Sequence, residues 1–154
     1  MMPRSLAQKN CFITGAASGI GKATALAAAQ AGATLFLTDH DEQGLSTAVA
    51  EIEAQGGQVA AHRAFDIADI EAVRAFAAST QRAHGSMEVV MNIAGISTWG
   101  TVETLRHEDW RRIIEVNLMG PIHVVESFVP AMIRAKRGGH LVNVSSAAGL
   151  FGLP

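Results

Sequence analysis

The segment that most constrains the fold is Thr14 to Gly21, which reads TGAASGIG. An apolar run at residues 11–13 precedes it, and an alanine-rich helical stretch at residues 22–31 follows. Strand, glycine turn and helix in this order form the phosphate-binding part of a dinucleotide-binding βαβ unit. The glycine pattern alone is weak evidence, because an ordinary strand-to-helix turn has the same letters.

The glycines of this turn suit a bound pyrophosphate. We expect Gly15 to adopt backbone angles that a side chain would forbid. We expect Gly19 to let the backbone approach a phosphate, and Gly21 to let the helix pack tightly on the strand. The N–H groups of the first helical turn then face the anion, where the helix dipole favours negative charge.

Composition excludes several other classes of protein. The 154 residues predict one domain, 1–154, and the formal net charge of -2 offers no basic surface for nucleic acid. The single cysteine, Cys11, lies in a predicted strand. We interpret it as a buried apolar residue in a reducing compartment, which favours a cytoplasmic protein. The six histidines lack ligand-like spacing, so we predict no metal site.

No targeting or membrane segment is expected from the apolar pattern. Residues 1–10 hold no apolar core of the kind that a signal peptide needs. The window at residues 23–37 is apolar, but polar residues and a glycine interrupt it. We interpret it as a helix, a turn and a strand, too short to cross a bilayer, and predict no membrane partner.

Apolar strands alternate with helices along the chain. The predicted strands are residues 10–14, 34–39, 58–65, 87–93 and 140–145, and the predicted helices are residues 22–31, 42–55, 69–84 and 108–134. The second strand is almost continuously apolar, as a parallel strand buried on both faces is. The alternation predicts an α/β fold with a doubly wound parallel sheet and right-handed crossovers.

Asp39 ends the second strand, about 20 residues beyond the glycine turn. An acidic residue at that place accepts hydrogen bonds from the hydroxyl groups of an adenosine ribose. The alternative is helix capping, because a helix follows at once and either Asp39 or Asp41 suits its N-cap position.

The helix predicted at residues 108–134 is long, roughly 40 Å at the usual rise. A strand of about 20 Å does not need so long a cover. The excess predicts packing on another subunit, and the alternative is a bent helix around one core. Pro121 lacks an N–H group, which leaves the carbonyl of Asn117 without its helical donor and predicts a kink there.

Two other strand ends carry small or polar residues. The fourth strand runs into Asn92-Ile93-Ala94-Gly95, which lies where open α/β sheets bind ligands, or is simply a turn. The fifth runs into Ser145 and Ser146, which strand alternation would place on opposite sides. One of the two serines then faces the crevice.

These motifs together resemble the short-chain dehydrogenase/reductase family over residues 9–154. TGAASGIG is similar to its TGxxxGxG cofactor turn, and Asp66-Ile67 resembles the family's adenine-contacting Asp after strand three. Asn92 to Gly95 resembles the NNAG motif. VNLMGP places Asn117 where the family has its helix asparagine, and VNVSSAAG falls at the active-site serine.

The resemblance implies hydride transfer between a nicotinamide cofactor and an alcohol or ketone. It also implies a Rossmann-type sheet with strand order 3-2-1-4-5, incomplete at the C-terminus. The length of the helix at residues 108–134 favours a homodimer or homotetramer that associates through it. The implied cofactor-binding residues are Gly15, Ser18, Gly19, Ile20, Gly21, Asp39, Asp66, Ile67, Asn92, Ala94 and Gly95.

Within that resemblance, Asp39 favours NAD over NADP because its charge repels a 2′-phosphate. Ser18 stands where NADP-preferring members often carry a basic residue. Ser146 is the implied catalytic serine, because two small residues and a glycine follow it. Asn117 is the implied binder of a relay water through its main-chain carbonyl.

The sequence also departs from the family. Ile93 replaces the second asparagine of NNAG, and the 154 residues contain no tyrosine. The family's Tyr-x-x-x-Lys would begin beyond Pro154. One hypothesis is that the chain is part of a longer dehydrogenase, which the apolar segment at residues 149–154 favours. The other is a nucleotide-binding or interaction module without catalysis. The glycine spacing disfavours a sugar epimerase.

Overall fold

A five-stranded parallel sheet forms the centre of the protein, with strand order β3-β2-β1-β4-β5. The computed structural model describes residues 5–150. The strands are β1 Asn10–Thr14, β2 Thr34–Asp39, β3 Gln58–Ala64, β4 Val89–Asn92 and β5 His140–Asn143. The predicted Rossmann-type sheet and its strand order are therefore confirmed.

Helices cover both faces of the sheet. They are α1 Gly19–Gln30, α2 Glu42–Ala54, α3 Ile70–His84, α4 His107–Ile114 and α5 Gly120–Ala135, with a π-helical turn at Glu115–Met119 and a 3₁₀ turn at Ala147–Gly149. Side-chain alternation along β1 builds the two cores. Cys11 and Ile13 join the core under α1 and α2, whereas Phe12 joins the core under α3 and α5.

Aromatic packing holds the second of these cores together. The Phe12 ring stacks on Phe128 of α5, with centroids 4.3 Å apart, and tilts against Phe76 of α3 at 5.7 Å. All three rings are almost fully buried. Such pairs add about 0.5–1.5 kcal/mol each beyond their area burial. They fix α3 and α5 to the strand that leads into the glycine turn.

The helix starts differ in a way that bears on function. Asp41 caps α2 by accepting from the Gly44 N–H at 3.0 Å, and Asp69 caps α3 by accepting from the N–H groups of Glu71 and Ala72. Ser18, at the N-cap of α1, makes no side-chain capping bond, and the first turn of α1 holds no acidic residue. The first residues of α1, from Gly19 to Gly21, line a neighbouring groove instead.

The long predicted helix is present, but a wider turn interrupts it. The helical stretch runs over His107–Ala135, and Glu115–Met119 within it is π-helical, with the Gly120 N–H donating to the Glu115 carbonyl. Pro121 follows this turn directly and lacks a donor, so a regular α-helical ladder is broken at this place. Pro130 lies inside α5 without ending it.

The stretch His107–Ala135 is also long and apolar enough to cross a membrane, by length and composition alone. The sequence analysis did not single this stretch out as a membrane segment, and charged residues occur along it from Glu108 in α4 to Arg134 in α5. A core helix of a soluble protein passes the same test, and α5 packs on the sheet through Val124 and Phe128. The finding is therefore weak evidence for a membrane.

Three strands end earlier than predicted. β3 ends at Ala64, and β4 spans only Val89–Asn92, because the N–H groups that follow it turn to a side chain of β1. β5 ends at Asn143. The two serines therefore lie beyond the strand, and the prediction that alternation separates them does not apply. The predicted apolar segment at residues 149–154 lies outside the described residues from 151 onward.

Candidate dinucleotide-binding site

A groove of about 420 Å³ lies at the carboxyl ends of the parallel strands. It brings together most of the predicted cofactor-binding residues, which are Gly15, Ser18, Gly19, Ile20, Gly21, Asp39, Asp66, Ile67, Ala94 and Gly95. Open α/β sheets bind their ligands at this edge. Three predicted residues, Asn92, Asn117 and Ser146, are not part of its lining.

The glycine turn is a cradle that side chains would fill. Gly15 has a φ of +72°, and a Cβ there would lie 2.9 Å from the backbone of Ala94. A Cβ on Gly21 would overlap the carbonyl oxygen of Gly15. Gly19 has a φ of +51° with open space beside it. The turn thus packs against itself on one side and leaves room for a ligand on the other.

Asp39 joins the glycine turn to the end of β2. Its Oδ2 accepts from the Ala17 N–H at 2.9 Å, and its Oδ1 accepts from the Asp41 N–H at 3.1 Å. Oδ1 also lies 2.9 Å from Nδ1 of His40. The side chain is 8% exposed, so one edge still faces the groove. Since Asp41 supplies the cap of α2, Asp39 remains available to the groove.

The Asp66-Ile67 turn is held from two directions. Asp66 Oδ1 accepts from the Ala68 N–H at 2.9 Å, and its Oδ2 forms an ion pair with Arg112 of α4 at 2.6 Å. The buried His123 of α5 donates from Nδ1 to the Ile67 carbonyl at 3.0 Å. Both contacts come from the long helical stretch, which therefore closes this end of the groove.

In the Asn92–Gly95 segment, Asn92 is buried and the other three residues line the groove. The Thr14 hydroxyl oxygen accepts from the N–H groups of both Ile93 and Ala94 at 3.0 Å. The replacement of asparagine by Ile93 therefore leaves that N–H group paired. Asn92 is buried, donates from Nδ2 to Asn143 Oδ1 at 2.9 Å, and is not part of the groove lining.

Asn117 and Ser146 are exposed residues outside the groove lining. The Asn117 side chain clamps Ile96, since its Oδ1 accepts from the Ile96 N–H at 2.9 Å and its Nδ2 donates to the Ile96 carbonyl at 2.7 Å. Asn117 thereby fixes the loop that leaves β4. Ser146 is exposed, and its Oγ accepts from the Ala148 N–H at 3.1 Å at the start of the 3₁₀ turn.

Sequence reasoning missed several residues of the lining, namely His40, Phe65, Ile93, Ile96, Arg112 and Val116. Four of them adjoin predicted positions, so proximity to a motif would have found them. Arg112 and Val116 lie far along the chain, in α4 and in the π-helical turn. No sequence pattern predicts that these two residues line the groove. Among residues 5–150, no group of three or more His, Cys, Asp or Glu side chains has the arrangement of a metal site.

The groove and sheet define a dinucleotide-binding α/β protein, and comparison with known proteins gives the family. The family model described as short chain dehydrogenase matches residues 9–154. The 3-oxoacyl-(acyl-carrier-protein) reductase FabG of Thermotoga maritima is 39% identical over 146 residues, which are 95% of this chain and 58% of the relative. The chain therefore belongs to the short chain dehydrogenase family, and it spans little more than half of this relative's length.

Solved structures agree with this assignment. A short chain dehydrogenase/reductase from Burkholderia phymatum in complex with NAD superposes with a TM-score of 0.93 at 34% identity, over 99% of this chain and 54% of that one. A metagenomic short-chain oxidoreductase in complex with NADP gives 0.89 at 37% identity, over 97% of this chain and 67% of that one. The family binds either nicotinamide cofactor, and its members are oxidoreductases.

Proposed function

We propose that residues 1–154 are the NAD-binding part of an oxidoreductase that moves hydride between a nicotinamide and an alcohol or ketone. One observation carries the proposal. The helices α2 and α3 begin with aspartate caps, whereas α1 begins without one, over a cradle that side chains at Gly15 or Gly21 would fill. An uncapped helix start beside a glycine turn is a binding site for a pyrophosphate.

In this proposal, different residues of the groove contact different parts of the cofactor. The N–H groups at the start of α1, from Gly19 to Gly21, hold the pyrophosphate. Asp39 accepts from the adenosine ribose, and the Asp66-Ile67 turn contacts the adenine. Ala94 and Gly95 border the nicotinamide half. When bound, the nicotinamide supplies the group that accepts or gives up the hydride.

Asp39 is the reason for proposing NAD over NADP. Its carboxylate is nearly buried at the rim of the groove, where a 2′-phosphate would bring a second negative charge beside it. No lysine or arginine lies in the glycine turn. The NADP-bound relative shows that the family permits the other choice, so the preference needs its own test.

For the chemical step, we propose that Ser146 orients the substrate oxygen and that the Asn117 main-chain carbonyl holds a water of the proton relay. Neither supplies a proton donor, and the 154 residues include no tyrosine. A serine hydroxyl without a base is a poor acid at neutral pH. We therefore propose that this stretch alone binds the cofactor without turning over substrate.

We also propose that the protein is cytoplasmic and that copies associate through the long helical stretch. Four side chains spaced by four residues form an exposed apolar stripe along it, and they are Trp110, Ile114, Leu118 and Ile122. Their exposure runs from 37% to 56%. An apolar stripe on a surface helix is a typical association surface.

A pair of glycine variants tests the cofactor site. Gly19 and Gly56 both have positive φ, +51° and +81°, with no atom within 4 Å of the place a Cβ would take, but only Gly19 lies in the groove. Gly19→Ala and Gly56→Ala therefore cost similar backbone strain. We expect Gly19→Ala to weaken NADH binding at least about tenfold, measured by fluorescence titration, and Gly56→Ala to leave it unchanged. Equal binding by both variants would refute the site.

A further inference from the structure

The Asp66-Ile67 turn is contacted by side chains of the helical stretch His107–Ala135, which is not part of the dinucleotide-binding motif. Arg112 pairs with the Asp66 carboxylate, and His123 donates to the Ile67 carbonyl. A Cβ on Gly120 would lie 2.6 Å from Ile67 Cδ1, so the helix also packs closely on this turn. Three positions along one helical stretch thus meet two adjacent residues of the groove.

The Arg112 contact has features that burial alone does not explain. No residue of α4 is buried, so this helix gains little by packing on the sheet. The two charged side chains are 48% and 36% exposed, and both line the groove. A guanidinium beside a carboxylate restricts the directions in which that carboxylate accepts further hydrogen bonds. The pair is therefore placed to orient a recognition group.

Both oxygens of Asp66 already have a partner on the protein side. Oδ1 accepts from the Ala68 N–H, and Oδ2 pairs with the Arg112 guanidinium. Each carboxylate oxygen has a second acceptor direction. The two protein contacts fix the carboxylate plane, and acceptor capacity remains for a donor that enters the groove. The exocyclic amino group of adenine is such a donor.

We propose that Arg112 is a positioning residue that orients the Asp66 carboxylate toward the 6-amino group of the cofactor's adenine. The inference deepens the proposed function and rests on it. Arg112 does not touch the cofactor in this arrangement. It acts through Asp66, and it makes recognition of the adenine depend on α4, outside the glycine-turn unit.

A cofactor analogue separates this role from a structural one. Nicotinamide hypoxanthine dinucleotide differs from NAD in the purine ring, where a 6-oxo group replaces the 6-amino group. The ratio of the two dissociation constants measures what the 6-amino group and the unprotonated N1 beside it contribute together, since hypoxanthine carries a proton on N1. We expect Arg112→Ala to lower the preference for NAD by about two- to fivefold, the range of one partly exposed ion pair. Arg112→Lys keeps the charge without the planar fork and should retain part of the preference.

Arg111→Ala is the matched control. It removes the same charge from the same helix, at a position that does not line the groove. Its preference should equal that of the parent protein. Thermal unfolding and far-UV circular dichroism establish that each variant is folded before its binding is compared.

The outcomes are distinct. A reduced preference in Arg112→Ala alone supports the positioning role. An unchanged preference, even with weaker binding of both dinucleotides, makes Arg112 only structural and overturns the proposal while the NAD site stands. A higher preference means that Arg112 competes with adenine for Asp66, which also overturns it. If the parent protein binds neither dinucleotide, the proposed function fails, and this inference fails with it.

Discussion

Replacing Asp39 by asparagine should change both the stability of the protein and its choice of cofactor. In the structure, the carboxylate accepts from the N–H groups of Ala17 and Asp41 while it faces the groove. An amide has only one oxygen to accept with. Asp39→Asn therefore leaves one of these N–H groups facing an NH₂ group and removes the negative charge at the rim.

The stability effect follows from the lost hydrogen bond. A hydrogen bond to a charged group contributes about 1.5–3 kcal/mol, and the side chain here is 8% exposed. We expect the free energy of unfolding of Asp39→Asn to fall by about 2 kcal/mol in urea titrations monitored by circular dichroism. Asp41→Asn is the matched control, since asparagine caps a helix as well as aspartate does.

The cofactor effect follows from the lost charge. Two unit charges about 4–6 Å apart interact by about 3–4 kcal/mol at an effective dielectric constant near 20, and solvent screening reduces this. We expect NADPH to gain at least about tenfold relative to NADH, which corresponds to about 1.4 kcal/mol. Fluorescence titration of both reduced cofactors measures the ratio.

Two results would count against this reasoning. If the ratio of the two dissociation constants stays within about twofold of the parent value, Asp39 does not set the cofactor preference. If Asp39→Asn unfolds at the same urea concentration as Asp41→Asn, the bond to Ala17 does not hold the glycine turn. The two readouts are independent, so the anchoring role and the selectivity role can fail separately.

Three further predictions concern the rest of the chain. In a longer protein that carries the family's tyrosine and lysine, Ser146→Ala should lower kcat at least about tenfold with NAD binding unchanged, and Ser145→Ala should not; equal rates for both would reject Ser146. Burial raises the pKa of the Cys11 thiol from 9.0 to about 11, so the unfolded thiol ionises first and stability should fall by up to about 3 kcal/mol between these pH values. A pH dependence identical to that of Cys11→Ala would contradict this. Ile114→Glu should lower the association state in sedimentation equilibrium, whereas Val102→Glu in the exposed loop should not, and unchanged association of Ile114→Glu would exclude the stripe.

Local patterns predicted the parts of the fold that depend on local interactions. Alternating strands and helices indicated the sheet, because a continuous apolar strand has to be buried on both faces. The glycine turn could be predicted because backbone geometry at Gly15 and Gly21 permits little else. Strand ends were less certain, since the last ladder bond depends on partners such as Thr14 that lie far away in sequence.

For the site residues too, local roles could be predicted from the sequence, whereas contacts between distant elements could not. Asp39 was predicted to meet a ribose or to cap α2, and the sequence did not show that its carboxylate also anchors Ala17. The Asp66–Arg112 pair joins residues of different elements, and the pairing depends on how α4 sits over the sheet. Periodicity describes which face of a helix is apolar, but it does not say which exposed charge meets a groove.

The π-helical turn before Pro121 has a consequence for how insertions and deletions act on this protein. Such a turn holds one residue more than an α-helical path through the same place. Deleting the exposed Glu115, which spares Asn117 and its bonds to Ile96, should therefore tighten the turn to α-helical geometry and keep Arg112 and His123 on the side that faces the Asp66-Ile67 turn. The turn is already wider than an α-helical turn, so an added residue cannot be absorbed in the same way. It would rotate Arg112 and His123 by about 100° relative to each other. We therefore expect changes of length at this turn to act asymmetrically: the loss of Glu115 should preserve both contacts with the Asp66-Ile67 turn, whereas a gain of one residue should separate them.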